Sequence, residues 1–157
     1  MEKSKISWCK GQNKGLKLIE PNDSLAEEYY KNAEESLRIA VQIKDTGSNM
    51  WIATHKYYTE YLAAYSLLMK IGIKSEIHSC TIEVIKILED ENIIKIPLSK
   101  YLEDDKNLRI ENQYYLKNVK IELDPKLLSN ILLVVRSSLD SITKVQIEKI
   151  RETIELN

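Results

Sequence analysis

The stretch SNMWIATHKYYTEYLAAYSLLMKIG, residues 48–72, decides how this chain folds. Ser48 and Asn49 supply a side-chain acceptor for the free amides of a helix start, and Gly72 supplies the left-handed residue that ends one. Between them Trp51, His55, Tyr58, Leu62, Tyr65 and Met69 form one seam at three- and four-residue steps, and Tyr57, Tyr61, Ala64, Leu68 and Ile71 form a second beside it. Two seams mean a helix covered on more than one side, at the centre of a bundle or at a subunit interface.

Working outward, helical signals continue in both directions. Ser24 and Glu27 fit a capping box, and Ala26, Tyr30, Ala33, Leu37 and Ala40 make one buried stripe that stops at Thr46-Gly47. After Gly72, Ser75 is read as the cap of a shorter helix through Leu88. IIKIP then forms a connector closed by Pro97. A further helix starts near Leu98 and carries Tyr101, Leu102, Leu108 and the segment RIENQYY, residues 109–115. LKNVKIEL reads as a loop or short extended piece. Asp124-Pro125 is a strong start for a last helix striped with Leu128, Leu132, Val135, Leu139 and Ile142. The charged tail EKIRETIELN is expected to project or fray. The first 22 residues read as an extended or loosely docked, solvated arm, and residues 23–157 as a single domain. The fold expected is all-α, an up-and-down four-helix bundle with one additional short helix.

Composition supports that class and excludes others. The chain has 157 residues, enough for one core, and its four Gly and three Pro are too few for a turn-rich sandwich or barrel. A net charge of −1 provides no general field for nucleic acid, so any such contact is local. Lys3, Lys5, Lys10, Lys14 and Lys17 make the arm the one basic concentration. Cys9 and Cys80 are read as ordinary thiols in a reducing cytosol, and the longest apolar run, Ile131 to Val135, is too short for a membrane. His78-Ser79-Cys80 offers two ligand types where a zinc site needs about four, so no metal or cofactor is expected. No glycine-rich phosphate loop, nucleophile elbow or HExxH pattern is present.

RIENQYY is the set least easily explained as core. Asn112 and Gln113 follow Arg109 by three and four residues and share its helix face. A guanidinium grips phosphate with two donors, and amides recognise base edges. Tyr114 and Tyr115 converge on Arg109 only if the helix ends or bends there. The competing reading has both tyrosines filling core volume while Arg109 pairs with Asp105 one turn earlier.

AEEYYKNAEESLRIA, HKYYTEYLAAYSLLMKIG, KSEIHSC and LRIENQYY, in that order over about residues 15–145, resemble the HEPN family of small helical-bundle proteins. The resemblance implies a four- or five-helix bundle, often a homodimer with a polar cleft between subunits. It also implies nucleotide or RNA binding and, for some members, a separately encoded minimal nucleotidyltransferase as partner. Many members resemble ribonuclease toxins that use an Arg and a His four to six residues apart. Arg109 matches that arginine, whereas Tyr114 and Tyr115 stand where the histidine would, and a phenol with a pKa near 10 is a poor base at neutral pH.

The preferred expectation is therefore a cytoplasmic, homodimeric nucleotide- or RNA-binding module. Its site is built from Arg109, Asn112, Gln113, Tyr114 and Tyr115, with His55, Tyr58, Lys74 and His78 as secondary candidates. The alternatives are a metal-independent endoribonuclease whose base, His55 or His78, comes from another helix or subunit, and a helical interaction protein without ligand.

Overall fold

A computed structural model describes residues 2–157, with side chains from residue 5 onward. The chain is mostly helical. Seven helices and one two-residue antiparallel strand pair are found among the described residues.

The 48–72 stretch folds as its caps dictate. Helix α3 (Asn49–Ile71) begins with the Ser48 hydroxyl accepting from the Trp51 amide and ends at Gly72, whose φ of 87° is left-handed and whose N–H donates to Leu68 O at 2.8 Å. Both seams are covered, because α2 (Asp23–Ile43), α4 (His78–Asp90), α5 (Leu98–Gln113), α6 (Pro125–Ser141) and α7 (Lys144–Leu156) all pack on α3. Only the first turn departs from the pattern: Trp51 stays half exposed. Small residues Ala26, Ala33 and Ala40 bring α2 close to α3, while Tyr57, Leu67, Leu68 and Ile71 lie fully buried against their neighbours.

Several local expectations are corrected. Asn22, not Ser24, caps α2: its side chain accepts from the Leu25 amide at 2.9 Å, two residues earlier than the capping box required. Ser75 does not cap α4. Its hydroxyl donates to Ile77 O at 3.0 Å, and the helix begins at His78 with no side-chain cap. The charged tail neither projects nor frays. Thr143 and Gln146 form a reciprocal capping box that starts α7, and Ile150 and Ile154 are buried. Arg151 Nη1 clasps three backbone carbonyls, Ile19 at 2.8 Å, Ile71 at 3.1 Å and Gly72 at 2.7 Å, and so ties α7 to the end of α3.

The first 22 residues, expected as an extended or loosely docked arm, instead hold helix α1 (Glu2–Gly11) and strand β1 (Lys17–Leu18). Strand β1 pairs antiparallel with β2 (Ile73–Lys74), Leu18 opposite Ile73. Ile6 and Cys9 are buried, and Lys5 reaches Glu83 on α4 at 2.8 Å. Cys9 and Cys80 are not separate thiols but a disulfide closing a sequence separation of 71 residues. The bond stabilises α1 on α4 mainly by restricting the unfolded chain. With it goes the thiol-based argument for a reducing compartment. No described helix is long and apolar enough to cross a membrane.

Candidate functional site

The buried stripe of α5 changes character along its length. Leu98 and Leu102 begin it as core, then Asp105, Arg109 and Asn112 continue the same three- and four-residue steps with polar groups. Facing them across α3 are Lys56, Tyr57 and Glu60. Burying this many polar groups is costly unless each finds a partner.

Asp105 finds Lys56, with Nζ 3.0 Å from Oδ1, and both side chains are largely buried. The expected alternative pairing of Asp105 with Arg109 is therefore not made. Burial, then the neighbouring Asp105, hold the Glu60 carboxyl well above the usual carboxylate range. One negative and one positive charge balance at this point of the stripe.

Arg109 has no such balance. It is only 8% exposed, and its one acceptor among the described residues is the neutral amide of Gln113, 3.2 Å from Nη1. Its Nε is buried without a partner. Aromatic rings take the place of a carboxylate. The guanidinium carbon lies 5.1 Å from the Tyr57 ring centre, 5.5 Å from Tyr58 and 5.7 Å from Tyr114. Ring faces within about 6 Å attract a cation by roughly 0.5–2 kcal/mol each, yet they do not neutralise it.

A histidine joins the same group from another helix. His78, the first residue of α4, stacks on Tyr61 with ring centres 4.1 Å apart, and its Nδ1 lies 2.7 Å from the Tyr57 hydroxyl. Burial pushes the Tyr57 phenol far up, so it stays protonated, and the buried O–H needs an acceptor. Tyr57 thus donates to Nδ1, which assigns the imidazole proton to Nε2. Burial, then the charges of Arg109 and Lys106, push His78 down to about 4. It is neutral at pH 7, and the two charges that act on it are both positive. Tyr61, pushed up to about 12 by burial, closes the group through Thr81, 3.2 Å from its hydroxyl.

Comparison of the chain with family models, with characterised proteins and with solved structures finds no match. The site is therefore read from its own geometry.

That geometry sorts the residues singled out in the sequence. Arg109, Gln113 and Tyr114 come together. Helix α5 ends at Gln113, the Tyr114 and Tyr115 amides both fold back onto Ile110 O, and Tyr114 turns over the guanidinium while remaining well exposed. Tyr115 and Leu116 continue this exposed run. Neither tyrosine fills core volume. Asn112 points inward instead of sharing the mouth with Arg109: it is 2% exposed, its Nδ2 donates to Leu108 O at 2.9 Å, and its Oδ1 is unpartnered. Of the secondary candidates, Tyr58 and His78 belong to the group. His55 does not, because its ring turns toward α2, where Nδ1 lies 3.5 Å from the Ser36 hydroxyl. Nor does Lys74, which lies exposed in β2 opposite Lys17.

Tyr57, Tyr61 and Lys106 were missed as site residues. The signal was present in the tyrosine ladder 57, 58, 61 and 65, which reads equally well as core seam. No cluster of metal-ligating side chains occurs among the described residues. A groove of about 710 Å³ between α2 and α6, lined by Tyr30, Leu37, Leu132 and Leu133 among others, involves none of the site residues.

Proposed function

We propose that the protein is a nucleotide- or RNA-binding module whose site is Arg109 with its casing of Tyr57, Tyr58 and Tyr114. One observation carries this reading: a nine-tenths buried arginine faces three tyrosine rings and, among the described residues, no carboxylate. A buried cation without a counterion is destabilising in the free protein. An arriving phosphate supplies the missing charge, and the exposed ring of Tyr114, followed by Tyr115, offers a face on which a base stacks. The negative net charge of the chain makes this a local recognition site, in contrast to a general nucleic-acid surface.

The proposal includes the HEPN-like form of the fold, in which α2, α3, α5 and α6 act as an up-and-down bundle. It includes a homodimer and a minimal nucleotidyltransferase as partner. What supports the bundle is the central position of α3 between α2, α5 and α6; the dimer and the partner rest on the sequence resemblance. Calorimetric titration of nucleotides and short RNAs into wild type and Arg109→Ala tests the binding reading, and equal affinities refute it.

A second reading, the metal-independent endoribonuclease, gains one observation: His78 reaches the arginine group from α4. Its chemistry counts against it. A histidine held near pKa 4, with Nδ1 occupied by Tyr57 and the proton on Nε2, is a weak base at neutral pH. Cleavage of labelled RNA in EDTA that disappears in His78→Ala would establish this reading, and intact RNA at high protein concentration would remove it.

A further inference from the structure

The group around Arg109 adjoins a second feature with unmet donors. Helix α4 begins at His78 after Ile77, an apolar residue that provides no side-chain cap. The first backbone bonds of the helix run from the Cys80 and Thr81 amides to Ile77 O, so the amides of His78 and Ser79 have no acceptor among the described residues. Ser75, the nearby hydroxyl, is turned to Ile77 O as a donor and offers these amides nothing. A thirteen-residue helix presents the positive end of its dipole at this point.

An open helix start is common on protein surfaces and would not by itself indicate a ligand. Here a second observation stands beside it. The 8%-exposed Arg109, with its unpartnered Nε, rests on the same Tyr57 whose hydroxyl bonds His78. Lys106, one turn before Arg109 on α5, adds its charge at the same histidine. His78 Nε2–H, the two amides, Arg109 and Lys106 are all donors or cations, and the charges acting on His78 include no carboxylate. Such a set is complementary to a compact oxyanion with several acceptor oxygens.

We propose that the N-terminal turn of α4, together with Arg109 and Lys106, binds the phosphate of a phosphomonoester, the terminal phosphate of a nucleotide or of an RNA end. This deepens the binding function proposed above and rests on it. A terminal phosphate, unlike the internal diester of a strand, presents three oxygens to be shared among the helix amides, His78 Nε2–H and the guanidinium. The tyrosines beside Arg109 are then left to contact the nucleoside.

The test titrates inorganic phosphate, adenosine 5′-monophosphate and adenosine into the full chain, with calorimetry and with NMR of the His78 ring. The inference expects phosphate and the monophosphate to bind, adenosine to bind at least tenfold more weakly than the monophosphate, and the His78 pKa to rise from about 4 on saturation. Ser79→Pro deletes one amide donor in a turn that tolerates proline, and should weaken the monophosphate by about tenfold. Ser79→Asp keeps or improves the helix start while placing a carboxylate there, so its thermal midpoint should hold while binding is lost. If the monophosphate binds in an Arg109-dependent way but both Ser79 variants bind like wild type, the α4 site is wrong and the binding function stands. If RNA binds through Arg109 while neither phosphate nor monophosphate binds, the inference is again overturned alone. If nothing binds, both fall.

Discussion

Two arginines of this protein rest on tyrosines, and only one of them is answered. Arg136 on α6 lies 4.2 Å from the Tyr30 ring centre, grips Glu27 with both terminal nitrogens at 2.7 and 2.8 Å, and reaches Asp140 at 3.3 Å. Those carboxylates hold the guanidinium charged, and the hydrogen-bonded Arg136 in turn pulls Glu27 below the usual carboxylate range. Arg109 is more deeply buried, touches three rings and meets a single neutral amide. The first arginine is a structural strut between α2 and α6. The second has the same aromatic support with no carboxylate partner among the described residues, and the proposed anion binding rests on that difference.

A third arginine extends the comparison and gives the largest expected effect. Arg151 is satisfied by three backbone carbonyls around Gly72, and a Cβ at that glycine would collide with the Arg151 guanidinium and the Ile19 carbonyl. Because φ at Gly72 is also left-handed, Gly72→Ala should cost about 3 kcal/mol or more in urea unfolding. A cost below about 1 kcal/mol would mean that the clasp is not the anchor of α7.

Next in size is the acid response of His78. Its folded pKa of about 4 lies below the ordinary 6.5, so the unfolded chain takes up this proton first. The contribution is whole above pH 6.5 and is lost as pH falls from 6.5 toward 4. His78→Gln should remove roughly 2 kcal/mol of that decline, allowing for partial exposure of the ring. Glu60, whose raised pKa gives stability that is lost as pH rises, acts in the opposite direction and cancels in the difference between wild type and variant. Identical pH profiles for the two proteins would contradict the burial assigned to His78.

The smallest effect is the most informative in sign. Without ligand, Arg109→Met should stabilise the protein by about 1 kcal/mol because it removes an uncompensated buried charge. Arg136→Met should destabilise it by about 1 kcal/mol because it breaks a paired, stacked side chain. Equal losses in the two variants would erase the distinction drawn between them.

What the sequence revealed was local. Ser48, Gly72 and Asp124-Pro125 announced helix ends because a cap acts over three or four residues, and the double seam left α3 either a bundle centre or a subunit interface, of which the packing of five helices on α3 shows the first. Helix α7 was missed because its two buried residues, Ile150 and Ile154, are outnumbered by charges, and what docks it is the meeting of Arg151 with carbonyls more than 70 residues away. Helix α1 was missed for a similar reason: Ile6 and Cys9 make a thin stripe, and the disulfide partner lies 71 positions on. At the site, RIENQYY pointed to Arg109 and to the value of a helix ending there. It could not show that the histidine would arrive from the start of α4, or that Asp105 would choose Lys56. Both depend on how α4 and α5 sit across α3.

Whether Arg109 binds an anion decides the proposed function. Isothermal titration of a nucleoside monophosphate and a short single-stranded RNA into wild type and Arg109→Ala, at low salt and neutral pH, measures this directly. Binding by the wild type that weakens by about a hundredfold in the variant is the predicted result, the loss expected for charge-assisted bonds to phosphate. Equal affinity in the two proteins, or no binding by the wild type, would contradict it.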